Sequence, residues 1–396
     1  MSASLCAWQE TVTAGRHSRS VHHRGTHMKI AASLCLGVTL LATPGFAEEI
    51  SVGLAAPLSG PQAYFGNTWH NGFKLYWDKL NAEGGVNGVT IKYNQQDDKA
   101  DPREGTLVAQ KFCDDDSVVI GLVNFNSGVA QSTLPIYEDC ELPTMTFGSN
   151  PDLTEQGYKF MVRPVANDLA NALLPAEYAL QKLNAKTAVI VSDKQVFGQG
   201  ISEIFGKNFT AGGGQVLDTL AVAPTDVDFT SVLAQIKAKS PDVIYVGAVM
   251  PQIALFAKQM HEQGVNASLM VPDGGYTPDF IAQAGEANVQ GTMVAIQVPP
   301  MDASPAIAEF AKLYKEKYGE EAGPYSIYGY VHGQILEAVL KSTKGLSREE
   351  INDALHAVKV QTAVGELEFD DIGELKVAPS YLYKVEGKDF KLAGSK

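Results

Sequence analysis

The chain is short of the residues on which enzyme chemistry most often turns. Four cysteines occur in 396 residues, and none sits in a C-x-x-C pair, which argues against a thioredoxin-like redox centre or a zinc ribbon. Of the eight histidines, half fall within residues 1–27. The others, His70, His261, His332 and His356, are scattered, so a histidine metal site or a catalytic triad has little to draw on. No H-E-x-x-H, G-x-S-x-G or P-loop pattern occurs. Asp114-Asp115-Asp116 lacks the alternating spacing and glycine turn of a calcium loop and reads as a solvated helix end. No cofactor, no metal and no enzymatic activity are expected. Positive charge is also scarce: 31 Lys and Arg face 45 Asp and Glu, a net charge of −14. Nucleic acid and anionic membrane surfaces are therefore poor partners. No apolar run reaches the ~20 residues that a membrane-spanning helix needs.

What is present begins at Met28-Lys29. A short basic start, the apolar run from Ile30 to Ala42, and small residues Gly45 and Ala47 before Glu48-Glu49 describe a secretory signal peptide, residues 28–47, cut after Ala47. Residues 1–27, rich in Ser, His and Arg, read as a non-native leader, with translation starting at Met28. Removal of residues 1–47 takes away four cations and one acid and leaves a charge of −17. Cys113 and Cys140 remain. Both fall near the ends of predicted helices flanking one strand, and an oxidising compartment permits a disulfide between them; two unpaired buried thiols are the alternative.

With 45% hydrophobic residues the chain has material for two cores. Short β-branched runs at Ile50–Ala55, Thr90–Gln95, Val118–Leu122, Thr144–Phe147, Ala188–Ser192, Val216–Val222, Val243–Val249 and Leu269–Val271 predict strands. Helical stripes lie between and after them, such as Phe73, Trp77 and Leu80, or Ile307, Phe310, Ala311, Tyr314 and Tyr318. Alternation of this kind implies βαβ crossovers and parallel sheets. A break near Arg163–Asn167, another at Val298-Pro299-Pro300, and three consecutive helices thereafter fit two open-sheet lobes better than one barrel. In open parallel sheets, ligands bind beyond the carboxyl ends of the strands.

Polar and aromatic residues gather at those ends. Asn124-Phe125-Asn126-Ser127-Gly128 follows a strand and opens a helix. Gly148-Ser149-Asn150 follows the next strand. A helix N-terminus with free N–H groups and a serine hydroxyl suits a carboxylate. Asp273 follows the strand at Leu269–Val271 and offers a carboxylate to an ammonium. Phe65, Phe197 and Tyr330 lie in comparable loops or helix starts. Each has an ordinary alternative, as a helix cap or as core. Gly198-Gln199-Gly200 is half a phosphate loop and weak alone.

Taken together and in order, several segments resemble the Leu/Ile/Val-binding proteins, the periplasmic components of branched-chain amino acid ABC importers. They are Ile50–Pro57 with Leu58-Ser59-Gly60-Pro61 and Phe65-Gly66, Asn81–Gly88, Asp97-Asp98 with Asp101-Pro102, Ile136-Tyr137-Glu138, Asp193-Lys194 with Phe197–Gly200, and Asp228-Phe229. The resemblance covers residues 48–390. It implies a type I periplasmic binding fold, two Rossmann-like α/β lobes joined by three hinge crossings near Arg163–Asn167, Val298–Met301 and Lys376–Ser380. One lobe would comprise 48–165 and 300–378, the other 166–299 and 379–396. It further implies a periplasmic monomer that closes on an amino acid and docks on an ABC permease. Ser127 and the backbone of Gly148 and Ser149 would hold the α-carboxylate, Asp273 the α-amino group, and Phe65, Phe197 and Tyr330 the side chain. Phe65, Phe197 and Val249 stand where tyrosines are usual, and Phe125 and Phe147 add bulk, so the pocket is expected to prefer apolar ligands. Delivery of ligand to a sensory receptor, or binding of aromatic carboxylates, are the other readings.

Overall fold

The computed structural model describes residues 48–396 together with Ser20; the leader and the signal peptide read from the sequence lie outside them. The chain opens with β1 (Glu48–Ala56), α1 (Ala63–Ala82), β2 (Val89–Asp97), α2 (Pro102–Cys113), β3 (Val118–Val123), α3 (Ser127–Asp139), β4 (Thr144–Thr146), α4 (Asp152–Glu155) and β5 (Met161–Val162). Its five strands form one wholly parallel sheet in the order β2-β1-β3-β4-β5. Strands buried on both faces need continuous apolar runs, and β3, Val-Val-Ile-Gly-Leu-Val, is buried at every position.

The chain then builds a second sheet through α5 (Asp168–Gln181), β6 (Thr187–Ser192), α6 (Val196–Ala211), β7 (Gln215–Ala221), α7 (Thr230–Lys239), β8 (Val243–Gly247), α8 (Gln252–Glu262), β9 (Ser268–Val271), α9 (Pro278–Ala284) and β10 (Met293–Ile296). It returns to the first lobe for α10 (Pro305–Tyr318), α11 (Ser326–Ser342), α12 (Arg348–His356) and the hairpin β11 (Lys359–Thr362) and β12 (Gly365–Glu368). Finally β13 (Tyr381–Glu386) and β14 (Asp389–Ser395) complete a seven-stranded sheet, β14-β13-β10-β9-β8-β6-β7. Only β13 runs against the other strands; β14, antiparallel to β13, returns to their direction. β12 and β13 fall on the closing β segments read from the sequence, Gly365–Phe369 and Tyr381–Val385, whereas β5, β10, β11 and β14 are additions to that reading.

Two glycines let α1 and α11 cross at backbone contact. A Cβ on Gly72 would lie 1.8 Å from the Ser326 carbonyl oxygen, and one on Gly329 equally close to that of Trp69. Elsewhere in this lobe a disulfide joins Cys113 and Cys140, whose Cα atoms are 5.8 Å apart across 27 residues. Arg348, the first residue of α12, donates to five carbonyl oxygens around that bridge, those of Val118 (3.0 Å), Cys140 (3.0 Å), Phe112 (3.1 Å), Asp115 (3.1 Å) and Cys113 (3.3 Å). A loop of this length predicts a loss of about 3 kcal/mol on reduction. Because Arg348 grips the same chain ends, the protein should remain folded, which urea unfolding with and without reductant checks.

Three segments connect the lobes, and buried polar groups tie them together. Arg163, with no solvent exposure, pairs with Glu374 at 3.1 Å. The same terminal nitrogen also donates to the Thr154 hydroxyl (3.2 Å), and the second terminal nitrogen donates to the Asn150 carbonyl (2.8 Å). Asn171 of α5 donates to Gln297 (3.1 Å), in the second connection, and accepts from Ser380 (2.9 Å), in the third. Removing one member of a buried pair strands the other charge, at about 3–5 kcal/mol. Glu374→Ala should therefore lower stability by about 3 kcal/mol in denaturant titrations.

Candidate functional site

The carboxyl ends of both sheets face one cavity. From the first lobe come Gln62 and Phe65 after β1, Phe125, Asn126 and Ser127 after β3, Phe147 and Ser149 after β4, and Tyr325 at the start of α11. From the second come Phe197 at the start of α6, Val249 after β8, and Asp273 and Gly274 after β9. The cavity is partly open to solvent, and the space inside it that a water can occupy is small, about 40 Å³, room for a few waters.

One end of the cavity is built for an anion. The first turn of α3 begins at Ser127, and Asn126 makes no side-chain cap to it; its amide donates instead to Gln62 at 2.7 Å. The N–H groups of that turn therefore keep their partial positive charge toward the cavity. Ser127 Oγ accepts the Asn150 N–H (3.2 Å), which leaves its own proton free to donate.

The opposite end is acidic. Asp273 Oδ1 accepts the Gly274 N–H (3.0 Å), and Oδ2 accepts the Tyr325 hydroxyl (3.1 Å). Burial pushes the Asp273 carboxyl up to about 6. Behind Ser149 lies a second acid, Asp168, the first residue of α5. It is fully buried, its N–H bonds to the Ser149 carbonyl (2.9 Å), and neither carboxyl oxygen has a well-aligned hydrogen-bond partner. The Ser149 hydroxyl stands beside it, and burial first, then the charge of Asp273, push this carboxyl up to about 8. Arg163 pulls the Asp168 carboxyl the other way, but its ion pair is with Glu374, and no cation is among the described residues that line the cavity.

The side wall is aromatic. Phe65, Phe125 and Phe147 stack in a row, with centroids 6.0 and 4.9 Å apart and planes within 17°. Tyr325 meets all three edge-on at 5.1 to 5.4 Å, a geometry rings favour. Phe197 and Val249 close the other side without hydroxyls.

Of the residues singled out in the sequence, Phe65, Ser127, Ser149, Phe197 and Asp273 meet at this cavity. Two do not. Gly148 sits behind the wall, its N–H committed to the Asn124 carbonyl at 2.7 Å, so it has none to offer a ligand. Tyr330 lies a turn inside α11, where its ring packs on Tyr76 and Phe310 at 4.8 and 5.0 Å. Tyr325, five residues earlier at the helix start, is the ring that reaches the cavity. Gln62 and Asp168 carried no signal of their own: the one is a loop glutamine, the other reads as an ordinary first-turn acid. The glycines of the half phosphate loop are packing positions; a Cβ on Gly198 would lie 2.2 Å from Asp193 Oδ1.

Two hinged α/β lobes, with a cavity between them lined by a helix N-terminus, a buried acid and an apolar wall, define a two-lobed solute-binding protein. The sequence profile of the periplasmic binding proteins matches residues 49–390, and the chain belongs to that family. An amino acid binding protein of Pseudomonas aeruginosa is 27% identical over 94% of this chain and 98% of its own. The Leu/Ile/Val-binding protein BraC3 of Rhizobium johnstonii is 30% identical over 89% and 96%. Among solved structures, the leucine-binding protein LivK of Thermotoga maritima superposes with a TM-score of 0.82 at 25% identity, covering 87% of this chain and 98% of its own. A solute-binding protein of R. palustris in complex with benzoate has a TM-score of 0.78 at 24% identity, covering 88% and 96%, which shows the shared fold.

Proposed function

We propose that the protein is the extracytoplasmic binding component of an ABC importer for apolar α-amino acids. One observation carries this reading: Ser127 and Asp273, from different lobes, line the same cavity. The ligand carboxylate lies at the α3 N-terminus and the Ser127 hydroxyl. The ammonium lies between Asp273 and the Asp168–Ser149 corner, and the side chain rests on the phenylalanine row. A ligand that touches both lobes stabilises the closed form by its differential contacts. The lobes in this account are residues 48–165 with 300–378, and 166–299 with 379–396. Export by the segment 28–47 and docking on a membrane permease complete the role.

The pair of acids also discriminates. A benzoate-like anion brings no positive charge to meet Asp273 and Asp168, so it should bind much more weakly than leucine, isoleucine or phenylalanine. Titration calorimetry over these four ligands tests the reading. Micromolar binding of the amino acids, about −8 kcal/mol, with benzoate far weaker, is the expected pattern. Preference for benzoate would contradict it.

A further inference from the structure

We propose that Tyr325 and Asn150 form a two-point clasp of protein groups that draws the lobes together independently of ligand. At one point, the Tyr325 hydroxyl of the first lobe donates to Asp273 Oδ2 of the second, at 3.1 Å. Both residues are buried, and the Tyr325 ring is fixed by its edge-on contacts with Phe65, Phe125 and Phe147. At the other, Asn150 Nδ2 donates to the Val196 carbonyl, at the start of α6, at 3.1 Å.

Asn150 is held rigidly on its own side. Its N–H goes to Ser127 Oγ (3.2 Å), its carbonyl accepts from Arg163 (2.8 Å), and its Oδ1 accepts the Asp152 N–H (2.9 Å). That leaves Nδ2 as the group facing α6. The opposing helix is shaped to receive it, because a Cβ on Gly200 would stand 2.6 Å from Asn150 Nδ2. Glycine there sets how closely α6 approaches.

The two points do different work. Asn150 shares Ser127 with the carboxylate end of the cavity, and Tyr325 shares Asp273 with the ammonium end. Tyr325 occupies one oxygen of Asp273 from the far lobe and leaves to the ligand the remaining lone pair of the other, which also takes the Gly274 N–H. It is thus a positioning residue: it aims the carboxylate when the lobes meet. The ligand side of this statement rests on the amino-acid reading above, whereas the clasp does not.

Single-molecule energy transfer on the full chain, labelled at Lys111→Cys on α2 and Lys207→Cys on α6, both exposed, reads the clasp without ligand. Tyr325→Phe removes one hydroxyl and keeps the ring; Gly200→Ala wedges the other point. Each should lower the ligand-free closed-to-open ratio about threefold to tenfold, the worth of one hydrogen bond, and together they should multiply. With leucine as the probe, dissociation should quicken by similar factors while association changes less than about twofold and the melting temperature holds. A ligand-free protein with no closed population, or variants with an unchanged ratio, would overturn the clasp. If leucine fails to bind the wild type, the amino-acid reading falls, and the ligand-free ratios still decide the clasp.

Discussion

Replacing Asp273 with asparagine should weaken leucine binding a hundredfold or more, by about 3 kcal/mol. The argument is one of charge in a dry site. Asp273 is buried, and one of its oxygens already takes the Tyr325 hydroxyl. Asparagine keeps an oxygen for that hydroxyl and nearly the same volume, so lobe contact survives, although the Gly274 N–H loses its acceptor. What disappears is the negative charge that meets the ligand ammonium, and removing one partner of a buried charge pair costs about 2–5 kcal/mol. The deaminated analogue, 4-methylpentanoate, has no ammonium to lose, so the variant should bind it as well as or better than the wild type does. Calorimetry with both ligands separates the outcomes. Equal affinity of wild type and variant for leucine would remove Asp273 from the site.

Asp168→Asn should do the reverse to stability. The Asp168 carboxyl is raised from its ordinary 3.8 to about 8 in the folded protein, so folding takes up a proton across that interval. For a raised acid, the favourable contribution is complete below about 3.8 and is lost as pH climbs through about 8. The neutral amide suffers no such loss. Ligand-free Asp168→Asn should therefore be more stable than wild type at pH 8, on the order of 6 kcal/mol for a rise from 3.8 to about 8 at ~1.4 kcal/mol per pH unit, with little difference near pH 4. The gain comes at the expense of function. An ammonium beside Asp168 favours its charged form, so at pH 7 wild type should release up to about one proton on binding leucine. The variant should release fewer and bind more weakly. Urea titrations at pH 4 and 8, and calorimetry in buffers of differing protonation enthalpy, check the two halves. A variant whose stability follows pH as the wild type does would show that Asp168 is not a buried, proton-holding acid.

Much of this architecture is legible before any coordinates. β3 and β6 announce themselves because strands covered on both faces must be apolar throughout, and Ser127 and Asp273 stand out because they follow such strands directly. The two-residue β5 and β10, Met-Val-Ala-Ile, escape notice; four apolar residues without alternation suit a helix as well as a strand. Tyr325 and Tyr330 differ only in where α11 begins, and a shift of one residue in a helix start turns a side chain by 100°. Asp168 is hidden for another reason. An acid in a first helical turn is ordinary, and what sets this one apart is full burial with neither carboxyl oxygen hydrogen-bonded, which follows from how α5 packs beneath Ser149 rather than from its neighbours in the chain. Arg163 and Glu374 are likewise ordinary apart, and 211 positions of chain conceal their pairing.

The most direct trial of the account is a crystal structure of the leucine complex. The carboxylate should lie within hydrogen-bond distance of Ser127 Oγ and the first N–H groups of α3, with the ammonium on Asp273 from the other lobe. A leucine turned end for end, or one touching a single lobe, would contradict the claim that capture of the two charged ends is what closes the protein.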